Sequence, residues 1–325
     1  MTAFLSALGG KLADTWLSLL VLPGLLFVSL AAVGHNLGHR HALDLPLLVR
    51  RINTLAADPA AHAPGTIALL AVLVLAASAG ASLVASALAG AVERLWLGDW
   101  PRPLSGAART LTARRVQRWD SADERHRTAL RDKADRKRAA RDAGTDPELP
   151  EPAATPAPAA STAPAPGQDD TRALNEARNR IALAHPDRPT WMGDRIHAVE
   201  SRVHEHYGLD VASAWPRLWL LLPEAPRADL QSARTALTTA ARRAAWGALC
   251  LLLGLWWWPA AIAGAVAYLG AWRQGRLAVD VFAELVEATV DLHGRELAAA
   301  LGIPCEAALT PEVGVRITRT VRKGT

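Results

Sequence analysis

The sequence predicts an all-α, polytopic membrane protein in which a long antiparallel helical hairpin extends from the bilayer into a cytoplasmic helical region. Three observations predict it. Half of the 325 residues are apolar and only 21% are charged, and the two classes are segregated: residues 15–34, 66–92 and 244–272 carry no charge, while 101–143 hold 13 of the 36 Lys and Arg. Tryptophans stand at the ends or the centre of the uncharged runs, and arginines flank the second and third. A bilayer core about 30 Å thick needs about 20 apolar residues of helix, since nothing there but the helix itself satisfies the backbone. This segregation excludes an ordinary soluble enzyme. Two cysteines, Cys250 and Cys305, also exclude a disulfide scaffold and a four-thiolate zinc site.

Residues 1–100 are predicted to form an N-terminal membrane hairpin. Its first span, about 15–34, starts at Trp16 and kinks at Pro23-Gly24; its second, about 66–92, is followed by Glu93, Arg94, Trp96 and Trp100. Tryptophan favours headgroup level, so Trp16, Trp96 and Trp100 are expected as interface anchors. The first run also has features of a signal peptide ending at Ala32-Val33-Gly34, but it is longer than a usual signal core and weakly basic ahead of it, which favours a retained anchor. In the connection between the spans, Asp44 and Pro46 start a helix. Leu47, Leu48, Ile52 and Leu55 then fall opposite Arg50, Asn53 and Thr54, as in an amphipathic helix in the outer interface.

The third run, 244–272, contains Trp256-Trp257-Trp258-Pro259 near its middle. As one helix it would measure about 43 Å and would place three tryptophans at mid-bilayer. Folded about Trp258-Pro259, it puts Trp256, Trp257 and Trp258 at the far interface and Trp246 and Trp272 at the near one, although each limb is then only about 21 Å long. Arg234, Arg242 and Arg243 before the run and Arg273 and Arg276 after it place both flanks in the cytoplasm. The hairpin is therefore favoured over a single tilted span. Four membrane segments follow, with both termini cytoplasmic, in a bacterial cytoplasmic membrane.

The polar segments divide by composition. Residues 101–144 are predicted as a charged helix, with a net charge of +7 over 101–143 suited either to solvent or to anionic lipid headgroups. Residues 145–170 are rich in Pro and Ala, with five acids and no base, and read as a disordered linker. Residues 171–225 form a small helical segment, broken at Pro186 and Pro189 and closed at Gly208. The long hairpin occupies 226–303, with its membrane tip at 244–272. In the tail, 304–325, Val313 to Val321 alternate as a strand would.

The stretch PTWMGDRIHAVESRVHEHYGLDVASAWPRLWLLLPE, 189–224, with the hairpin after it and the DLHGRELAAALGIP end, resembles bacterial multi-helix integral membrane proteins of actinobacterial and cyanobacterial type. The resemblance covers the chain except the linker. It implies the membrane topology and no activity. Those proteins begin the segment Pro-Thr-Arg and follow with Gly-Asn, whereas this chain has Trp191 and Asp194.

Candidate chemistry is sparse. His35, His39 and His41, with Asp44, could ligate a metal outside the first span, and His197, Glu200 and His204 share a helical face, with His206 beside them. Interfacial histidines and histidines in a last helical turn have simpler explanations, so no metal or other cofactor is assigned. No phosphate loop, dinucleotide fingerprint or serine-hydrolase elbow is present, and no basic-aromatic pattern supports nucleic-acid binding. Ser78, Ser82, Ser86 and Gly90 repeat every four residues, a small-residue face for packing within the chain or in a homo-oligomer. The expected function is that of a non-enzymatic scaffold that docks a cytoplasmic protein partner at the lipid bilayer. An oligomeric pore and a membrane-bound metal enzyme are the alternatives.

Overall fold

The computed structural model describes residues 22–57, 63–142, 168–305 and 308–323. It is helical, with no strand among the described residues. The helices are α1 (Leu22–Leu37), α2 (Leu45–Ala56), α3 (Pro64–Trp96), α4 (Ser105–Asp142), α5 (Gln168–Ile181), α6 (Trp191–Tyr207), α7 (Val211–Leu221), α8 (Glu224–Leu253), α9 (Trp258–Ala300) and α10 (Pro311–Val321), with a 3-10 turn at Arg102–Leu104. Residues 145–167 of the expected linker and Trp16 lie outside the described residues, and the last three linker residues, 168–170, are corrected to the first turn of α5. The chain divides into two compact units, one comprising residues up to 95 with 222–288, the other 96–221 with 289–325.

Only α3, among the described helices, is long and apolar enough to cross a membrane. The expectation of three runs of span length is thereby reduced. The first run is described only from Leu22, as a 16-residue apolar helix. The third is divided by a turn at Gly254–Trp257, slightly ahead of the expected Trp258-Pro259. Bonds of the 3-10 type from Leu255 N to Leu252 O and from Trp256 N to Leu253 O tighten the end of α8, and Pro259, which has no N–H to lose, sits in the first turn of α9.

In the first unit the helices approach closely through glycine. A Cβ on Gly264 would lie 2.7 Å from Gly247 O and from Leu251 N, so α8 and α9 meet backbone to backbone. Gly24 of α1 lies against Ser78 and Ser82 of α3. Phe27 meets Trp246 at 5.9 Å between ring centroids, and Gly34 lies under Trp257. The Trp257 Nε1–H donates to Ala42 O at 2.9 Å. At the opposite end of α3, Arg234 pairs with Glu93 at 2.5 Å. These contacts order the unit along one axis: the hairpin turn lies with the end of α1 and the start of the connection to α3, and the Glu93–Arg234 pair lies with the hairpin stems. The helix expected after Asp44 forms, its first turn capped by Leu47 N–H donating to Asp44 Oδ1.

The second unit pairs α4 with α5. Arg178 reaches Asp123 at 3.1 Å and lies over the Trp119 ring, whose Nε1–H donates to Ala182 O. Helix α6 starts at Thr190, whose hydroxyl accepts from Gly193 N–H, and ends at Gly208 with φ +63.

The tail is a helix, not the strand its alternation suggested. Thr310 caps α10 and Pro311 opens it. Gly314, Ile317 and Val321, spaced three and four apart, form its buried face. The Gly314 Cα packs against Tyr207 O so closely that no side chain could fit there, and Asp210 N–H donates to Thr318 Oγ1 at 3.0 Å. A sequence such as VGVRITRTV satisfies both periods; the cap and the partner decide.

Candidate functional site

A groove of about 930 Å³ lies between the stems of α8 and α9 in the first unit. Asp229 stands at one end of the α8 side and Arg243 at the other, with Ser232, Thr235 and Thr239 between them. The α9 side supplies Leu277, Ala278, Val281 and Leu285. Leu277 is 67% exposed and Val281 51%, so an apolar ridge faces a wall of small and hydroxylated residues. At the head of the groove Arg243 Nη1 donates to Gln274 Oε1 at 2.6 Å, tying the limbs together where the uncharged run begins. Sequence periodicity predicts Leu277, Val281 and Leu285 on one face of α9; it does not show that α8 leaves that face open.

The densest polar node is in the second unit. Asp194, 6% exposed, lies in the first turn of α6, and its two oxygens have separate tasks. Oδ1 accepts from the N–H groups of Asp187 and Arg188, at 2.9 and 2.7 Å. Oδ2 pairs with Arg115 of α4 at 2.5 Å. The same guanidinium donates to Ile181 O at 2.8 Å. Gly193 is required beside it, since a Cβ there would lie 2.6 Å from Leu97 O. The Thr190 hydroxyl donates to Trp96 O at 2.6 Å. This node joins α4, α5 and the start of α6, and its chemistry is that of a structural clamp. Sequence reasoning passed over it; the signal was a Thr-x-x-Gly-Asp helix start following two prolines.

The histidines do not assemble. His35 lies in the last turn of α1, and His39 and His41 are exposed in the following turn, where Gly38 at φ +60 ends the helix. Asp44 is engaged in capping α2. His197 Nε2 lies 3.5 Å from Asp187 and its Nδ1 3.5 Å from Glu200, while His204 and His206 are exposed one to two turns further on. No group of three His, Cys, Asp or Glu suited to a metal occurs among the described residues.

The tryptophans divide into two kinds. Trp256, Trp258 and Trp272 are exposed, and Trp100 and Trp246 are half-buried. Trp96 is 6% exposed and packs within the protein. Trp257 pins the turn to Ala42 and Gly34.

The small-residue face of α3 is only partly a contact face. Ser78, Ser82 and Ala85 are buried, whereas Gly90 has open space around it. A four-residue repeat drifts by about 40° per step on a helix of 3.6 residues per turn, so Ala85 rather than Ser86 continues the seam.

No family model matches the chain, and no curated protein or solved structure matches it.

Proposed function

We propose that this is an integral membrane protein in which α3 crosses the bilayer, the tip of the α8–α9 hairpin enters it, and the polar helices form a cytoplasmic docking platform that acts by binding rather than catalysis. The observation that carries this reading is the exposure of α3. Leu69, Val72 and Leu73 are exposed by 70, 64 and 62%, and Ile67, Leu70 and Leu75 by half or more. At 100° per residue these positions surround the helix. A core helix buries a face along its whole length, and an amphipathic one exposes only polar groups; α3 buries a face only from Ser78 onward, and its first half, apolar and bare on every side, needs hydrocarbon around it. Exposed Leu252, Leu255, Trp256, Ile262 and Val266 at the hairpin tip support the same surroundings there. Arg94, Arg102 and Arg109 after α3 and Arg242, Arg243, Arg273 and Arg276 around the hairpin favour the cytoplasm for these flanks.

The groove between the stems is the docking surface in this reading. It begins where the uncharged run ends and has the apolar floor and polar rim of a helix-binding surface. A photo-crosslinking residue placed at Leu277 is expected to capture a cytoplasmic protein in intact cells, and the same residue at Leu269, eight positions toward the tip, only lipid. Capture of lipid alone at both positions would reject the groove as a protein site.

A further inference from the structure

Helix α2, between the first two apolar runs, has a surface that neither the spanning helix nor the docking groove accounts for. At 100° per residue it divides into three faces of similar width. Leu47 and Leu48 are half-buried and Arg51 donates to Asn36 O of α1, so this face is turned to the protein. Arg50, Asn53 and Thr54 form a second face, polar and exposed. Leu45, Val49 and Ile52 form the third, within about 60° of one another. These three apolar side chains are 66, 54 and 54% exposed. The expected apolar face grouped Leu47 and Leu48 with Ile52; the fold turns those two leucines inward and leaves Leu45 and Val49 in the bare stripe instead.

This stripe continues a surface that the membrane reading gives to hydrocarbon. On α9, exposed Val266 and Ile262 lead back at four-residue spacing to exposed Trp258. Trp258 lines the same hollow as Leu43, which is 70% exposed and stands two residues ahead of Leu45. The bond from Trp257 Nε1–H to Ala42 O fixes this corner. Bare apolar side chains therefore run from the hairpin tip through Leu43 onto α2. The polar face is equally informative. Residues 45–56 contain two arginines and no acid, and Asp44 is engaged in the cap. A cationic polar face beside an apolar stripe is the pattern of a helix lying in the headgroup layer. A second copy would need more surface than this stripe, since stable interfaces engage about 20–30 residues a side.

We infer that α2 is a membrane-surface helix seated in the outer leaflet, with Leu45, Val49 and Ile52 among the acyl chains and Arg50, Asn53 and Thr54 toward headgroups and water. The hairpin tip and α2 then meet the outer interface as one continuous surface. The inference rests on the membrane reading above and extends it to a segment outside the spans.

The test uses full-length protein with Cys250 and Cys305 changed to Ala, carrying one spin-labelled cysteine at a time, in vesicles of phosphatidylcholine and phosphatidylglycerol. Relaxation of the label by oxygen, which concentrates in hydrocarbon, is compared with relaxation by a nickel chelate, which stays in water. Labels at Leu45, Val49 and Ile52 are expected to give an oxygen-to-nickel ratio about tenfold above labels at Arg50, Asn53 and Thr54, the ratio that about 1.4 kcal/mol of differential partitioning produces. All six positions are exposed, so no label displaces a packed side chain. Strong nickel relaxation at all six would place α2 in water and overturn the inference. Weak relaxation by both reagents at Leu45, Val49 and Ile52, with dipolar broadening between labelled copies, would overturn it in favour of a second copy. A label at Leu73 separates the two failures. Nickel access at Leu73 would refute the membrane reading itself, whereas oxygen access there with nickel access along the stripe would remove only α2 from the bilayer.

Discussion

Asp194 shows how much a single side chain organises here. One oxygen closes the chain reversal at Asp187 and Arg188, and the other holds Arg115 on α4. The two roles separate by substitution. Asp194→Asn keeps an acceptor for the two backbone N–H groups and removes the charge, and is expected to cost about 1.5–3 kcal/mol. Asp194→Ala removes both and leaves Arg115 without its carboxylate, with an expected cost of about 3 kcal/mol or more. The measurement is thermal or denaturant unfolding followed by the fluorescence of Trp119, which packs at the α4–α5 contact. Equal effects of the two variants would show that the bonds to the Asp187 and Arg188 N–H groups contribute nothing beyond the ion pair.

At the scale of elements, the docking of α10 is the contact most sensitive to conditions. Burial raises the pKa of Asp210, but hydrogen bonds from Ser213 and Arg322 outweigh it and hold the carboxyl below its ordinary value of 3.8. A group whose folded pKa is depressed stabilises the fold above its unfolded pKa and loses that contribution as pH falls through the folded value. The contribution of Asp210 to holding α10 is therefore expected to be intact at pH 5 and lost below the unfolded value of 3.8. Hydrogen exchange across 311–321 should rise more steeply with acid in wild-type protein than in Asp210→Asn, in which this component is absent at every pH. Parallel profiles would contradict the assignment.

Legibility from sequence also differed by element. Gly208 and the breaks at Pro186 and Pro189 mark helix ends by local rules, and the helices end at or close to them. The hairpin turn was legible because Trp256 to Pro259 interrupts an uncharged run. The tail was not, since its alternation suits either period and the deciding partner, the α6 terminus at Gly208, is a hundred residues away. The burial of Trp96 was not legible either, since it depends on residues remote in sequence. The groove was visible as residues but not as a site, because periodicity does not show which face of a hairpin its partner limb leaves open.

For the molecule as a whole, the decisive feature is a chain whose first unit is sheathed in exposed leucine, valine and tryptophan while α4 is charged nearly throughout. A soluble protein with such a surface would aggregate, since apolar patches of this extent mark membrane or partner contact. The central claim is that α3 crosses the bilayer and the hairpin enters and returns. It is tested most directly by single cysteines, placed in a background with Cys250 and Cys305 changed to Ala and probed in intact cells with a membrane-impermeant thiol reagent. The account expects a cysteine at Arg40 to be labelled from outside, one at Leu73 to be shielded, and those at Arg109, Gln231 and Leu292 to react only after permeabilisation. Labelling of Gln231 and Leu292 from opposite sides, or free labelling of Leu73, would contradict it.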